Sequence, residues 1–220
     1  MEKLIYSNKL RCDDDINDFV LEGYAHKSFE NGRLRLENVL SKEEYDQKAN
    51  YVLWCPVEFN DGIRIEWDFY PICEPTLCMM MFAAKGKDGE SIFADGLKKR
   101  TGEYDCYLHG DINLYHLSYF RRNFPTERAF HTCQLRKSNG GHRLSAGGDP
   151  IPSVEDAISP YHLSISIKNG HIVFFINDLK VIDYIDDGKE YGEVLKGGKI
   201  GFRQMAPGVC EYSNLSVYEI

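Results

Sequence analysis

The sequence predicts an all-β fold, a two-sheet antiparallel jelly-roll sandwich. Short runs rich in β-branched and aromatic residues recur along the whole chain, Gly, Asp and Asn separate them, and helical periodicity is nearly absent. Frequent strands without intervening helices are typical of sandwiches and barrels. At 220 residues the chain is expected to form one domain spanning 1–220.

The C-terminal part carries the strongest strand pattern. Leu163, Ile165 and Ile167 alternate with polar residues, and the Asn169-Gly170 pair that follows suits a type I′ hairpin turn. These strands in close succession predict a meander. Its strands are expected over 161–168, 171–177, 181–185, 198–205 and 212–220.

The N-terminal half repeats the same pattern, with two exceptions. Residues 41–47 favour a helical turn, and the polar stretch 136–159 is expected to be a long loop, which is usually functional in a compact domain. The strands of this half are expected over 32–37, 51–55, 63–69, 77–83 and 114–122.

Charge and hydropathy exclude several partners. The net charge of -8 and the pI near 5.4 argue against nucleic acid and against an anionic membrane. The longest apolar run, 77–84, is far shorter than the roughly 20 residues of a membrane-spanning helix. The N-terminal segment lacks the apolar run of a signal peptide, so a cytoplasmic location is expected.

The seven cysteines form no CxxC pair and no regular spacing, so most are expected to be reduced and buried. The His and Cys spacings do not match a zinc site, and no phosphate-binding glycine motif precedes a helix. Neither a metal nor a cofactor is therefore predicted.

Two segments near the C-terminus carry a resemblance. The run from Tyr161 through the Asn169-Gly170 turn to Asn177, followed by the Gly-Lys-Ile-Gly-Phe-Arg segment at 198–203, resembles the concanavalin A-like lectin/glucanase sandwich. Further segments resemble the YesU-like bacterial family, a domain of unknown function with that fold, found among pectin and rhamnogalacturonan utilisation genes. They include Trp-Asp-Phe at 67–69, Gly-Asp-Ile-Asn at 110–113, His-Leu-Ser-Tyr-Phe-Arg-Arg at 116–122 and Gly-Phe-Arg-Gln-Met-Ala-Pro at 201–207.

The resemblance covers nearly the whole chain and implies an oligosaccharide ligand. One position departs from the family pattern. A His-Ser pair is expected before the Gly-Asp-Ile-Asn motif, whereas this chain has Leu108-His109, so no role is assigned to His109. A monomer or a homodimer is expected.

Cationic and titratable side chains concentrate between Asp111 and Arg136. We expect His116, Tyr119 and Arg121 to be catalytic. On a strand, His116 and Arg122 share one face while Tyr119 and Arg121 share the other, so a bulge would be needed to bring both sets together. A packing role under the sheet is the alternative for His116.

A second set is expected to bind the sugar. Guanidinium groups can hold a uronate carboxylate in a bidentate arrangement, Asn and Asp suit hydroxyls, and a tryptophan can stack on a sugar ring. The predicted substrate-binding residues are Trp54, Asp111, Asn113, Arg122, Arg128, Arg136, Arg203 and Gln204.

These residue types point to a carbohydrate-active protein, and its reaction stays open. In a β-elimination, arginine neutralises the uronate, His or Tyr removes the α-proton and Tyr protonates the leaving oxygen. Hydrolysis by Glu66 and Asp68 is less favoured, because Pro71 stands where related glucanases carry a third carboxylate, and a surface pair beside a buried Trp67 is expected. A glycoside hydrolase, a polysaccharide lyase acting on pectin or rhamnogalacturonan oligosaccharides, and a non-catalytic carbohydrate-binding domain remain the alternatives.

Overall fold

The computed structural model describes residues 2–220 and consists mainly of strands. The strands are β1 (Lys3–Asn8), β2 (Val20–Glu22), β3 (Ala25–Ser28), β4 (Leu34–Asn38), β5 (Tyr51–Phe59), β6 (Ile63–Cys73), β7 (Cys78–Gly86), β8 (Ile112–Tyr119), β9 (Thr132–Lys137), β10 (His142–Gly148), β11 (Tyr161–Lys168), β12 (His171–Ile176), β13 (Leu179–Ile185), β14 (Gly198–Gln204) and β15 (Val209–Glu219). The helices are short: α1 (Asp13–Ile16), α2 (Lys42–Tyr45), α3 (Asp105–Leu108) and α4 (Pro125–Phe130), with 3₁₀ turns at Glu30–Gly32, Asp46–Ala49 and Val154–Asp156.

The strands form two antiparallel sheets packed face to face, which confirms the predicted all-β sandwich. The eight-stranded sheet has the order β13-β12-β11-β6-β15-β4-β3, with β1 paired to β15. The seven-stranded sheet has the order β10-β9-β8-β7-β14-β5-β2. Neighbouring strands are often far apart in sequence, as for β6 and β15, so the sandwich is held by long-range pairing.

The alternation seen in the sequence sets which side chains are buried. In β6, Ile63, Ile65, Trp67 and Phe69 point into the core between the sheets, while the residues between them are half-buried. The hairpin between β11 and β12 turns at Asn169 and Gly170, whose φ values of 49° and 81° are those that a type I′ turn requires. The predicted hairpin is confirmed.

A second, smaller core lies on the opposite face of the seven-stranded sheet. The connection between β7 and β8, residues 87–111, folds over this face, and we call it the strap. Its Ile92 and Tyr107 pack against Trp54, Met81 and Leu114 of the sheet. The strap therefore covers part of the face that a sandwich usually leaves open.

Several sequence expectations needed correction. The stretch 136–159 is not one long loop, because it contains the end of β9 and all of β10. The strand predicted over 114–122 ends at Tyr119. The expected helical turn at 41–47 is confirmed as α2, where the Ser41 side chain accepts a hydrogen bond from the Glu44 amide at 3.3 Å.

The two sheets meet along one side of the sandwich. Edge strand β10 of the seven-stranded sheet lies against edge strand β13 of the eight-stranded sheet. At this contact a Cβ atom on Gly147 would overlap the carbonyl oxygen of Val181. Only glycine allows this close approach.

All seven cysteines are free. Cys55, Cys78, Cys133 and Cys210 are buried, as expected for most of the set, whereas Cys12 and Cys73 are exposed. Cys78 and Cys210 come from different sheets, and their sulfur atoms lie 3.6 Å apart in the core. Among residues 2–220, no helix is long and apolar enough to cross a membrane.

Candidate functional site

A group of cationic and titratable side chains lies on the outer face of the seven-stranded sheet, beside the strap. We call this group the arginine site. Strand β8 supplies His116, the strap supplies Tyr104, β9 supplies Arg136 and β14 supplies Arg203, while Arg121 follows the end of β8. His116 and Arg136 are direct partners in the β8–β9 ladder.

His116 is almost completely buried in this site, with 1% exposure. Its Nδ1 lies 3.0 Å from the Tyr104 hydroxyl, and its Nε2 is buried without a hydrogen-bond partner. Burial, and to a smaller extent the positive charges of Arg136 and Arg203, lower the pKa of His116 to about 3. The imidazole is therefore neutral at physiological pH.

Arg203 is a buried cation that forms no ion pair with a carboxylate of the described residues. Its side chain is fully buried, and Nη1 donates to the Gly102 carbonyl at 2.6 Å. The guanidinium carbon lies 5.2 Å from the centroid of the Tyr104 ring, but Nε and Nη2 have no hydrogen-bond partner. A buried cation is costly unless it is paired, so this arrangement suits an anionic ligand.

Arg136 and Arg121 extend the positive charge. Arg136 is half-buried and donates to the Gly141 carbonyl at 2.8 Å and to Gln134 at 3.0 Å. Arg121 pairs with Glu127, while its Nε is buried and unpartnered. The site thus contains three arginines but one carboxylate, that of Glu127, so it has an excess of positive charge.

The backbone at the end of β8 explains how Arg121 reaches this face. Strict alternation would point Arg121 to the face opposite His116. Phe120 instead has a positive φ of 45°, which turns the chain after Tyr119. As a result, Arg121 Nη1 donates to the hydroxyl of Ser118 at 3.1 Å, on the same face as His116. This turn acts as the bulge that was expected to bring residues from opposite faces of the strand together.

Tyr119 does not belong to the site, which corrects the prediction that it is catalytic. It follows His116 by an odd number of residues and points into the core between the sheets, where it accepts a hydrogen bond from Trp67 Nε1 at 3.2 Å. Gln204 is also a core residue, because its side chain donates to the carbonyls of Leu36 and Gly208. Neither side chain can reach a ligand on the outer face.

Trp54 lies on the outer face, but the strap covers it completely. Its Nε1 donates to Glu22 at 2.9 Å, and its ring packs against Tyr107. The same Glu22 carboxylate accepts hydrogen bonds from Arg100 and from the Tyr107 hydroxyl. Trp54 therefore anchors the strap and offers no stacking surface, contrary to the prediction.

The other predicted sugar-binding residues lie apart from the arginine site. Arg122 is fully buried in an ion pair with Asp149 at 3.2 Å, which makes it a structural residue. Arg128 is exposed and donates to the carbonyls of Arg122 and Asn123. Asp111 closes the base of the strap by accepting a hydrogen bond from the Lys98 amide at 3.0 Å. Asn113 lines a cleft at the end of the sandwich.

The carboxylates of Glu66 and Asp68 lie on the outer face of the other sheet. Asp68 is 3.0 Å from His162 Nδ1, and this hydrogen bond raises the pKa of the histidine. Trp67 between them is buried, so the expected surface pair beside a buried tryptophan is confirmed. This pair is on the opposite side of the sandwich from the arginine site.

Sequence reasoning missed Tyr104. It lies in the strap, twelve positions before His116, and nothing in its local pattern distinguishes it from the other tyrosines. Burial raises its pKa, and the charges of Arg136, Arg203 and Arg121 offset part of that rise. A hydroxyl beside three guanidinium groups is suited to donate or receive a proton.

Comparison with solved structures defines the class of protein. The chain superposes on the crystal structure of a protein of unknown function with a galectin-like fold from Bacillus subtilis, with a TM-score of 0.94 and 47% identity over 99% of this chain and 96% of that chain. It also resembles a β-glucanase from Bacillus licheniformis, with a TM-score of 0.60 and 9% identity over 99% of this chain and 98% of the other. The molecule is a galectin-like and glucanase-like β-sandwich.

Sequence comparison identifies the family within this class. Residues 3–217 match the family described as "Domain of unknown function (DUF1961)", and the chain belongs to that family. The uncharacterized protein YesU of Bacillus subtilis (strain 168) is 47% identical over 215 residues, which cover 98% of this chain and 95% of that relative. The resemblance noted in the sequence is confirmed.

Proposed function

We propose that this protein binds and cleaves uronate-containing oligosaccharides of the pectin and rhamnogalacturonan type at the arginine site. The observation that carries the proposal is Arg203, a fully buried cation with two unpartnered nitrogens, beside a neutral imidazole whose Nε2 has no hydrogen-bond partner. A uronate carboxylate supplies the charge and the acceptors that this group lacks, and it reaches the covered Arg203 when Tyr104 and the strap move aside. The β-glucanase with the same fold acts as a precedent for saccharide chemistry on such a sandwich.

The geometry favours elimination over hydrolysis. In this reaction Arg203 and Arg136 neutralise the uronate carboxylate, which acidifies the proton on the adjacent carbon. His116 Nε2 takes that proton, and the C4–O bond breaks as the C4–C5 double bond forms. The Tyr104 hydroxyl protonates the leaving oxygen and regains a proton from Nδ1 of His116 through the hydrogen bond between them. Hydrolysis would need a pair of carboxylic acids at the site, and Glu66 and Asp68 lie on the other sheet.

A bound carboxylate would also change the basicity of His116. Burial is the largest cause that lowers its pKa, and the charges of Arg136 and Arg203 are the smaller ones. A uronate paired with these arginines offsets their effect, so the pKa of His116 rises toward the range of an effective general base when substrate binds.

Non-catalytic carbohydrate binding is the second candidate. Its supporting observation is the burial of His116, whose Nε2 is covered by protein atoms. In that case the arginines hold the ligand and the His116–Tyr104 hydrogen bond only positions the strap.

The deciding experiment incubates the full chain with rhamnogalacturonan and polygalacturonate oligosaccharides. Elimination is followed by the ultraviolet absorbance of the unsaturated uronate, hydrolysis by new reducing ends without that absorbance, and binding by calorimetry. Turnover with loss of activity in Arg203→Met and His116→Gln supports the proposal. The matched control is Arg11→Gln, which removes an exposed arginine charge and is expected to keep full activity.

Binding without turnover would leave only the non-catalytic function. If wild type and Arg203→Met bind every uronate oligosaccharide equally, or if neither binds any, the arginine site is not a uronate site.

A further inference from the structure

A second cleft, which we call the end cleft, lies at one end of the sandwich. Its volume is about 690 Å³, within the range of roughly 300–1,000 Å³ of small-molecule sites. It shares no lining residue with the arginine site. Its lining includes Lys87, Asn113, Asn139, His142, Tyr191 and Lys196.

Buried hydrogen bonds hold the loop that forms one wall of the end cleft. This loop, residues 186–197, has no strand or helix of its own. Lys137 donates to Asp186 and to the Gly192 carbonyl, both at 2.7 Å. Tyr115 donates to Asp186 and accepts from the Leu195 amide at 3.2 Å. Because Lys137 and Tyr115 belong to the sheet and are buried, the cleft is preformed.

The lining of the end cleft combines one aromatic surface with amide groups. The Tyr191 and His142 rings are stacked, with centroids 4.2 Å apart and planes 13° apart. The stack fixes the orientation of the Tyr191 ring, which is half-exposed. Asn113 and Asn139 also line the cleft and can both donate and accept hydrogen bonds.

The charges of this cleft are balanced. Lys137 is paired with Asp186, and Lys85 lies 3.1 Å from Glu58. The remaining charged residues are two lysines, Lys87 and Lys196, and two glutamates, Glu190 and Glu193. The end cleft therefore lacks the positive excess of the arginine site and does not favour an anion.

We infer that the end cleft binds a neutral pyranose, separately from the arginine site. A pyranose has an apolar C–H face that stacks on an aromatic ring and a rim of hydroxyls that amides recognise. Tyr191 supplies the ring, and Asn113 and Asn139 supply the amides. This inference does not depend on the uronate proposal, because the two sites differ in lining residues and in charge.

The test titrates the full chain with L-rhamnose, D-galactose, D-glucose and L-arabinose, followed by ligand-observed NMR. At least one of these neutral sugars is expected to bind wild type, and its affinity is expected to fall by about tenfold or more in Tyr191→Ala. Asn113→Ala serves as the second variant, which removes one amide and leaves the aromatic stack in place. Tyr24→Ala is the matched control, because Tyr24 is an exposed tyrosine outside the cleft.

Two results would overturn the inference: none of the four sugars binds, or Tyr191→Ala and Asn113→Ala both bind as wild type does. Circular dichroism confirms that each variant is folded. A parallel titration with D-galacturonate oligosaccharides separates this test from that of the arginine site. Arg203→Met is expected to lose uronate binding and keep neutral-sugar binding. Tyr191→Ala is expected to lose binding of the neutral monosaccharide and keep uronate binding.

Discussion

Arg203 and Arg122 are both fully buried, but only Arg122 forms an ion pair with a carboxylate. Arg122 is paired with Asp149, whereas Arg203 has a backbone carbonyl and two tyrosine rings as its partners. The Arg122 charge is compensated within the fold. The Arg203 charge is retained at a cost in stability, which is typical of residues kept for function.

This difference gives opposite expectations for the same substitution. Arg203→Met removes an unpaired buried charge, so we expect the free energy of unfolding to rise by about 1 to 2 kcal/mol. Arg122→Met leaves Asp149 buried without its arginine partner, so we expect a fall of about 3 to 5 kcal/mol. Urea unfolding of both variants measures the two values. A large loss of stability in Arg203→Met would mean that Arg203 is structural.

His116 makes stability depend on pH in the acidic range. Its pKa is about 3 in the folded chain, against an ordinary value of 6.5. Between these values the unfolded chain binds the additional proton, so the free energy of unfolding decreases as pH falls from 6.5 toward about 3. His116→Gln is expected to reduce this slope, as measured by urea unfolding across that range. An unchanged slope would show that His116 is not the group responsible.

The sequence could predict which face His116 occupies, and the same rule shows why Tyr119 was assigned wrongly. Period-two alternation places His116 and Tyr119 on opposite faces. The location of Arg121 depends on the positive φ of Phe120. Non-glycine residues rarely adopt a positive φ, and no local sequence pattern predicts one here. Tyr104 reaches His116 only through the fold of the strap, which is a long-range property.

At the scale of elements, the strap is the feature that distinguishes this sandwich. One carboxylate, Glu22 on edge strand β2, accepts hydrogen bonds from Trp54 below the strap and from Arg100 and Tyr107 within it. The strap therefore depends on a residue far away in the sequence. Since Tyr104 lies on the strap, Glu22 also helps to position Tyr104 beside His116.

We expect Glu22→Gln to release the strap. The variant leaves the buried Arg100 without its bidentate partner, and the free energy of unfolding is expected to fall by about 3 to 5 kcal/mol. Amide hydrogen exchange in 87–111 should accelerate more than in the two sheets. Glu30→Gln changes an exposed glutamate and is the control. Uniform acceleration over the whole chain would argue against a separately opening strap.

Strands with clear alternation of apolar and polar residues could be predicted from the sequence, but some of the elements around them could not. β6 and β11 carry regular apolar positions; the predicted bounds of β11 are confirmed, whereas β6 begins at Ile63 as predicted and ends at Cys73, four residues later than predicted. β10 was missed because its Ser, Ala and Gly residues give no apolar periodicity. It is a strand because it pairs with β9, so its conformation is set by its neighbour.

For the whole molecule, the cysteines report whether the sheets separate. Cys12 and Cys73 are exposed, whereas Cys55, Cys78, Cys133 and Cys210 are buried in the core. We expect a thiol reagent to label the two exposed cysteines quickly and the four core cysteines only at the rate of global unfolding. Mass spectrometry of the labelled chain measures the two rates. Fast labelling of Cys78 and Cys210 would show that the sheets open without unfolding.

The contact between Gly147 and Val181 covers two sheet edges that could otherwise pair with other copies of the chain. Edge strands present unpaired backbone groups that other copies can pair with, which makes them a starting point for aggregation. Here β10 and β13 lie against each other, so one side of the sandwich is shielded by the protein itself.

A side chain at position 147 would force these strands apart. We expect Gly147→Val to form concentration-dependent aggregates, measured by light scattering, at concentrations where wild type remains dispersed. Gly148→Val is the control, because a Cβ atom on Gly148 meets no other atom within 4 Å. Equal scattering by the two variants would contradict this expectation. We therefore expect the missing side chain at position 147 to limit association between copies of the chain.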